Sequence, residues 1–332
     1  MATIKQVAEA AGVSTATVSR VLSNTGYARE ETRKKVFKVV AELGYRPNNV
    51  ARNLRVRRTN VIALVVADIE NPYFSAVGKA VQDLAYLYGM QVILCNTDED
   101  LDKEQQYLDV LKSDNAAGII IAPTHQSTES FRYLADLKLP TVVIDRSFRN
   151  IDIVLNMDNV VIDNRGAGDA LGSHLLERKR NRIGGIFGYG SVTGRERFEG
   201  VMEAHERAGV RPTDELFRFV AAKEQLGYQA CLDLIERPDP PDALIASNGL
   251  LAAGAYRALK ERKVDIPNQL AFASFDDTLW TPMVSPAVTV IRQPTSAIGR
   301  VAVELLLKRI QDPELEGSET VLKSELVVRD ST

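Results

Sequence analysis

The hydrophobic pattern near the N-terminus predicts three short helices. The first extends from about Ile4 to Ala11, and its apolar residues recur every three or four positions on one face: Ile4, Val7, Ala8 and Ala11. Gly12 ends this segment, and Ser14 is a typical cap for a second helix. We expect that helix to turn three apolar side chains toward a small core: Val18, Val21 and Leu22. A third helix is predicted from about Glu30 to Leu43, where Gly44 closes it.

Residues 46–60 have the pattern of a linker with room for about two helical turns. Pro47 can begin a helix but cannot continue one from upstream, and Asn48 is a good cap. Because a helix of that length is marginal alone in water, we expect the segment to order only on a partner.

From Asn60 onward the pattern changes to alternating strands and helices. Val61–Val66 is a continuous apolar run, which is typical of a strand buried on both faces. Further strands are predicted at Gln91–Cys95, Gly118–Ala122, Thr141–Ile144, Arg182–Phe187, Phe217–Val220, Ala243–Ala246, Leu270–Ser274 and Val288–Ile291. Helices are predicted at Phe74–Tyr88, Lys103–Ser113, Ser130–Leu137, Asp163–Glu177, Arg195–Ala208, Glu224–Glu236, Leu250–Arg262 and Thr295–Ile310. This order predicts the α/β class: an all-α N-terminal unit and then a core of parallel sheets covered by helices.

Charge is distributed unevenly along the chain. Residues 1–60 contain 12 of the 41 Lys and Arg residues and 4 of the 44 Asp and Glu residues, a net charge of +8. The remaining residues have a net charge of −11. A basic N-terminal unit on an acidic core indicates that only the first part of the chain meets a polyanion.

Other features argue against several classes of protein. No apolar run is long enough to span a membrane and no secretory signal is apparent, so we expect a cytoplasmic protein without a membrane partner. Two distant cysteines and three scattered histidines suggest no metal site, and no cofactor is expected. Gly188–Gly194 is close to a dinucleotide-binding loop but contains one residue too many. Because no catalytic motif is present, we do not expect an enzyme.

The second predicted helix and the turn before it have the pattern of a helix-turn-helix. In that motif the first turn of the second helix enters the DNA major groove. Thr15, Ala16 and Thr17 are small enough to approach base edges closely. Arg20 lies one turn further on, where it can reach a guanine or a phosphate. An ordinary helical hairpin is the alternative.

Several segments of the chain resemble the LacI family of bacterial transcription regulators. The matching segments are residues 3–8, 11–14, 17–22, 31–33, 43–48, 50–54, 61–65, 163–166, 247–248 and 292–294. Ala28 departs from the family pattern, which usually has a Ser-like cap there, and residues 177–180 lack the usual Gly-His pair. The resemblance covers essentially the whole chain and implies three parts. They are a DNA-binding headpiece (1–46), a hinge helix or linker (47–60) and an effector-binding, dimerising core of two subdomains like those of periplasmic sugar-binding proteins (61–332).

The resemblance also indicates how DNA is bound. The predicted DNA-binding residues are Thr3, Ser14, Thr15, Ala16, Thr17, Ser19, Arg20, Asn48, Ala51, Arg52, Leu54 and Arg55. Leu54 is the candidate for an apolar wedge that enters the minor groove between base steps. We expect a pseudo-palindromic operator bound by a homodimer, because such an operator needs a two-fold symmetric protein. Pyrimidine–purine steps deform most easily, so we expect a CG step at the centre of the operator.

Polar and aromatic residues follow the predicted core strands at their carboxyl ends, where ligands bind in open α/β sheets. The predicted effector-binding residues are Asn71, Tyr73, Phe74, Asp145, Arg146, Arg195, Arg197, Asn248, Phe275, Asp276 and Gln293, with Asp163 and Trp280 as secondary candidates. Such carboxylates, amides and guanidinium groups bind vicinal hydroxyls, and aromatic rings pack against the apolar faces of a sugar. The set resembles that of the ribose-binding protein and related repressors.

The expected function is therefore repression of a carbohydrate-utilisation operon under control of a small sugar or sugar-acid effector. A sugar phosphate or a purine is the alternative effector. A transport-type sugar-binding protein and an α/β enzyme acting on a sugar are the competing classes. The headpiece opposes the first of these, and the lack of a catalytic constellation opposes the second.

Overall fold

The computed structural model describes residues 2–23, 28–45, 59–124, 128–148 and 156–332. The chain divides into two compact units, residues 1–59 and 60–332. Each unit buries a hydrophobic core of its own. Among the described helices, none is both long and apolar enough to cross a bilayer.

The first unit contains the three predicted helices: α1 (Ile4–Ala11), α2 (Thr15–Ser23) and α3 (Glu30–Glu42). A capping box begins α1, because the backbone N–H of Thr3 donates to Gln6 Oε1 at 2.8 Å and the N–H of Gln6 donates back to Thr3 Oγ1. Gly12 ends α1 in the left-handed conformation, with φ of 61°. All three helices contribute to the core: Val7, Ala8, Ala11, Val18, Val21, Val36 and Val39. The inward faces predicted for α1 and α2 are thus confirmed, with Ile4 and Leu22 half-buried at the edge.

The second unit alternates strands and helices, as predicted. Its strands are β1 (Val61–Val66), β2 (Gln91–Asn96), β3 (Gly118–Ile121), β4 (Thr141–Ile144), β5 (Asp158–Ile162), β6 (Ile183–Gly188), β7 (Phe217–Val220), β8 (Ala243–Ala246), β9 (Ala271–Phe275), β10 (Thr289–Arg292), β11 (Glu319–Leu322) and β12 (Glu325–Val327). Its helices are α4 (Pro72–Leu87), α5 (Leu101–Ser113), α6 (Thr128–Asp136), α7 (Asn164–Glu177), α8 (Val192–Ala208), α9 (Glu224–Ile235), α10 (Gly249–Glu261) and α11 (Thr295–Gln311), with a 3-10 turn at Asp214–Leu216.

The described strands form two six-stranded sheets, one in each of two subdomains. Subdomain 1 has the strand order β11-β5-β4-β3-β1-β2, and subdomain 2 has the order β12-β10-β9-β8-β6-β7. The pairs within both sheets are parallel except β10 with β12, which is antiparallel. Within residues 156–332 the chain passes between the subdomains after β5, after β10 and after β11.

Helices cover both faces of each sheet. In β1, Ile62 and Leu64 face α4 and α11, whereas Ala63 and Val65 face α5 and α6. In subdomain 2, α9 and α10 cover one face and α7 and α8 cover the other. This two-sided burial explains why central strands such as β1 and β3 are continuous apolar runs in the sequence, whereas the edge strand β2 is mostly exposed.

Three strands were not predicted: β5, β11 and β12. β5 begins with the buried polar residues Asp158 and Asn159, which interrupt the apolar signal. The carboxylate of Asp158 is satisfied by Arg309 Nε at 2.8 Å and by the Ser318 hydroxyl at 2.7 Å. Asn159 Nδ2 donates to the carbonyl oxygens of Val143 and Arg146. Only partners distant in sequence make these polar residues compatible with a buried strand.

The helix pair α7–α8 has its backbones in close contact through glycines. A Cβ atom at Gly168 would lie 2.1 Å from the Arg197 carbonyl oxygen, and one at Gly200 would lie 1.9 Å from the Arg165 carbonyl oxygen. Helices can approach this closely only where no side chain intervenes. The contact fixes the first half of α8 against α7.

Candidate DNA-binding face and effector cleft

The first turn of α2 presents small polar side chains to solvent. Ser14 caps the helix by accepting from the Thr17 N–H at 3.1 Å, and its hydroxyl lies 2.9 Å from that of Thr17. The predicted DNA contacts on this segment are exposed apart from Thr17, which is half-buried: Ser14, Thr15, Ala16, Ser19 and Arg20. Thr3 is also exposed, although its hydroxyl and N–H belong to the capping box of α1. The helix therefore offers hydroxyl groups, a methyl group and one guanidinium at its surface.

The predicted hinge contacts lie outside the described residues. They are Asn48, Ala51, Arg52, Leu54 and Arg55. Their assignment to DNA binding stays a prediction.

In the second unit, the strand ends of the two subdomains face each other across a cleft. Tyr73, in the first turn of α4, interacts electrostatically with Asp145 of subdomain 1 and with Asp276 and Arg197 of subdomain 2. Lys223 of subdomain 2 also spans the cleft, because its Nζ lies 2.7 Å from Asp68 Oδ2 in subdomain 1. The structure therefore brings predicted effector residues from both subdomains into one space.

Asp276 and Gln293 form one wall of the cleft. Asp276 follows β9 and is held in the left-handed conformation with φ of 74°. Its Oδ1 accepts from Gln293 Nε2 at 2.6 Å, and its Oδ2 accepts from the Gly249 N–H at 3.0 Å. Asn248 begins α10 and accepts from the Leu251 N–H, which leaves its amide NH2 group for other partners.

Arg197 lies on α8 and is almost completely buried. Its Nε donates to Asn164 Oδ1 at 2.9 Å, and its Nη1 donates to the Ser247 carbonyl oxygen at 2.6 Å. The guanidinium also lies over the Phe275 ring, 4.4 Å from its centroid. Its Nη2 has no hydrogen-bond partner within the described part of the chain, so this one edge can bind a ligand. Sequence analysis missed Asn164, which orients this guanidinium.

Asn71, Tyr73 and Phe74 come together at the start of α4. Asn71 caps the helix by accepting from the Tyr73 N–H at 3.1 Å. Tyr73 and Phe74 are buried, with ring centroids 5.0 Å apart in an edge-to-face arrangement. Burial raises the pKa of Tyr73 well above its ordinary value, and the nearby carboxylates of Asp145 and Asp276 raise it further. The aromatic pair gives the cleft one apolar surface.

Asp145 is the titratable centre of the cleft in subdomain 1. Burial raises the pKa of its carboxyl to about 6, with further contributions from Glu99 and Asp276, while Arg146 and Arg197 act in the opposite direction. Asp145 also has a left-handed backbone, with φ of 68°. Asp145 and Asp276 therefore face one space together with Arg197, whose Nη2 is uncommitted among the described residues.

The guanidinium of Arg146 is largely committed within subdomain 1. Its Nη1 donates to the carbonyl oxygens of Pro123 and Thr124 at 2.6 and 2.5 Å, and its Nη2 pairs with Glu99. The Nε group is buried, 3.8 Å from Asp145, without a hydrogen-bond partner within the described ranges. Arg146 thus joins the loops after β2, β3 and β4, and Glu99 neutralises its charge.

Three candidates lie away from this group. Arg195 is exposed and pairs with Glu199 at 3.7 Å, while Asp163 caps α7 by accepting from the Gly166 N–H. Both line a polar groove of about 460 Å³ whose lining contains neither of the two cleft carboxylates. Trp280 packs against Tyr256, with ring centroids 5.4 Å apart. Within the described residues, no cluster of three or more metal-ligating side chains occurs.

A core of two parallel-sheet subdomains with a polar interdomain cleft, preceded by a basic helix-turn-helix unit, defines a class of ligand-responsive DNA-binding proteins. Comparison with known proteins places the chain within that class. Residues 3–48 match the family described as bacterial regulatory proteins, lacI family, and residues 173–332 match the periplasmic binding protein-like domain. The chain belongs to the LacI family and is a bacterial transcription regulator.

Similar proteins match along nearly the whole chain. The HTH-type transcriptional regulator DegA of Bacillus subtilis (strain 168) is 37% identical, and the match covers 99% of this chain and 98% of DegA. The ribose operon repressor of Halalkalibacterium halodurans is 34% identical, covering 100% of this chain and 97% of the repressor. Among solved structures, the complex of the transcriptional regulator CelR with cellobiose is 28% identical, with a TM-score of 0.75 and 100% of both chains covered.

Proposed function

We propose that this protein is a repressor of a carbohydrate-utilisation operon and that a neutral sugar bound in the cleft controls its affinity for DNA. The observation that carries the choice of effector is the pair of carboxylates, Asp145 and Asp276, that face the same space. Ionised carboxylates accept hydrogen bonds from hydroxyl groups. A polyol fits this arrangement, with Arg197 donating to one of its oxygens.

An anionic effector fits the cleft less well. Glu99 neutralises the charge of Arg146, so among the described cleft residues the uncommitted edge of Arg197 is the main cationic group for a ligand. A carboxylate or phosphate would lie beside both Asp145 and Asp276, and like charges at such short range repel. We therefore favour a neutral sugar over the sugar acid and sugar phosphate that the sequence left open.

Two of the similar proteins support a sugar as the effector class. One of them is the repressor of a ribose operon, and one similar structure is a cellobiose complex. The buried rings of Tyr73 and Phe74 provide the apolar surface on which a sugar ring packs. We propose that the chain acts by binding rather than by catalysis, in the cytoplasm and at its operator on the nucleoid.

DNA binding is assigned to the exposed face of α2 and to the hinge. The net charge of +8 over residues 1–60 supports this assignment, because Lys and Arg release counterions from DNA phosphates. We propose that Thr15, Ala16 and Arg20 face bases and that Leu54 enters a central CG step of a pseudo-palindromic operator. Binding should therefore weaken steeply as the salt concentration rises.

A pseudo-palindromic operator calls for a two-fold symmetric protein, and subdomain 1 has an apolar surface suited to that symmetry. The surface, here the β2 surface, lies on the edge strand β2 and the end of α4: Tyr86, Leu87, Tyr88, Ile93 and Leu94. Tyr86 and Leu87 are 79% and 77% exposed. We propose that it forms a homodimer interface.

Sedimentation of Leu87→Glu should show a monomer, whereas Val328→Glu, at an exposed apolar position outside this surface, should remain a dimer.

A ligand screen with full-length protein tests the effector class directly. Neutral monosaccharides and disaccharides, sugar acids, sugar phosphates and purines are added separately while the melting temperature is followed, and hits are confirmed by calorimetry. A ligand that binds only the folded state raises the melting temperature. We expect neutral sugars to produce this rise. Stabilisation by sugar phosphates or purines alone would show that the proposed effector class is wrong.

A further inference from the structure

Asp277, the neighbour of the site carboxylate Asp276, is the centre of a hydrogen-bond cluster outside the cleft. Its carboxylate accepts from Thr281 Oγ1 at 2.7 Å and from Arg329 Nη2 at 2.7 and 2.8 Å. It also accepts from Arg292 Nε at 2.9 Å and from Arg292 Nη2 at 2.6 Å. These two arginines and Thr281 hold the pKa of the Asp277 carboxyl at about 2, against the effect of burial.

The Asp277 cluster contains a side-chain pair that lies next to the Asp276–Gln293 pair of the cleft. Asp276 pairs with Gln293, and Asp277 pairs with Arg292, so two successive residues after β9 are joined to two successive residues at the end of β10. The Asp276 N–H donates to the Ile291 carbonyl oxygen between them, at 2.9 Å. Both side-chain pairs therefore lie at the end of the β9–β10 ladder, whose last paired residues are Phe275 and Ile291.

The cluster also reaches the segments that join the subdomains. Arg292 is the last residue of β10, just before the chain passes to α11, and it also pairs with Glu325 at the start of β12 at 3.2 Å. Arg329 lies just beyond β12, and its Nη1 donates to the Val288 carbonyl oxygen at 2.8 Å. Two of the three connections between the subdomains therefore begin or end at this cluster.

We propose that Asp277 is a positioning residue of the effector site, holding Asp276 and Gln293 in place from outside the cleft. The inference rests on the proposed effector site. Its physical basis is the left-handed backbone of Asp276, with φ of 74°, since such a conformation persists only where the surroundings enforce it. The Asp276 carboxylate itself is held by weaker neutral donors, so the charged cluster next to it supplies the stronger anchor.

Amide hydrogen exchange of the full-length chain tests this without any effector. Because Asp276 Oδ2 accepts from the Gly249 N–H, the exchange rate at Gly249 reports whether Asp276 is in place. In Asp277→Asn we expect exchange at Gly249 to rise at least tenfold, while the amide of Ile245 in the middle of β8 is unchanged. Asp277→Glu, which keeps the carboxylate, should restore most of the protection. Glu236→Gln removes an exposed partner of Arg262 in the same subdomain and should change neither amide.

A purely structural role gives a different pattern. In that case Asp277→Asn lowers the melting temperature and speeds exchange at Gly249 and Ile245 alike, or leaves Gly249 protected, and either result overturns the proposal. If Asp277→Asn does not fold, Arg292→Gln decides, since it removes both Arg292 hydrogen bonds to Asp277 and leaves Arg329 in place. We expect about a threefold rise at Gly249 in that variant, and no rise overturns the proposal. If the expected exchange pattern is observed but no neutral sugar raises the melting temperature, the effector assignment is wrong and the positioning role of Asp277 stands.

Discussion

Replacing Gly168 with Ala should both destabilise the core and disturb Arg197. A Cβ at this position would lie 2.1 Å from the Arg197 carbonyl oxygen and 2.9 Å from its carbonyl carbon, whereas ordinary contacts begin at 3.4 Å. The obstacle is backbone, so α7 and α8 must separate by more than an ångström. Overpacking of this kind typically costs about 1–3 kcal/mol. That corresponds to a melting temperature lower by roughly 2–4 °C for each kcal/mol.

Gly78→Ala is the matched control. Gly78 also lies inside a helix of the core, but its added Cβ would meet only the flexible Leu64 Cδ2 at 3.3 Å. Since alanine favours helix over glycine by about 1 kcal/mol, this variant should melt at the same or a higher temperature. Thermal unfolding followed by circular dichroism compares the two, and sugar binding is then measured below both transitions. Equal melting temperatures for the two variants would refute the reasoning.

Four further outcomes follow from the structure. With the Asp145 pKa raised to about 6, effector affinity should rise with pH through about 6 and then level off, because the ionised form accepts hydroxyl hydrogen bonds; calorimetry on Asp145→Asn should show a flat profile. In the absence of effector, the raised pKa of Asp145 contributes to the free energy of unfolding. This contribution is fully present below about pH 4 and is lost as the pH rises through 6, so melting of wild type and Asp145→Asn as a function of pH can detect it. Arg309→Ala should cost about 3–5 kcal/mol in denaturant unfolding, because it leaves the buried Asp158 without its cation. Thr3→Ala should destabilise the headpiece by about 0.5–2 kcal/mol through loss of the capping box, and DNA binding that depends on a folded α2 should weaken while effector affinity is unchanged.

Much of the fold could be predicted because its central strands are buried on both faces. β1, β3 and β4 are uninterrupted apolar runs, and their predicted positions match the structure to within one residue. β5 was missed because it begins with two polar residues, which become compatible with a buried strand only through contacts such as Asp158 with Arg309, about 150 positions apart in sequence. β11 and β12 were missed because they are short, partly exposed edge strands without an apolar run.

In the cleft, the sequence predicted which residues come together but not how each side chain is oriented. The rule that ligands bind at strand ends predicted that Tyr73, Asp145, Arg197 and Asp276 would come together, and the structure brings them together. The direction in which a long side chain points was not predictable. Arg146 turns toward Glu99, whose position depends on a loop with a left-handed backbone, φ of 57°.

The central claim is that a sugar in the cleft changes the affinity of the headpiece for DNA. The most direct measurement is a fluorescence-anisotropy titration of a duplex selected by the full-length protein, with and without the sugar found in the screen, on wild type and Arg197→Ala. We predict that the sugar changes the DNA affinity of the wild type by about 5–150-fold, the usual range for coupled sites. Arg197→Ala should bind the duplex as tightly as the wild type without sugar and show no response to it. An unchanged affinity in the wild type, or an equal response in Arg197→Ala, would contradict the account.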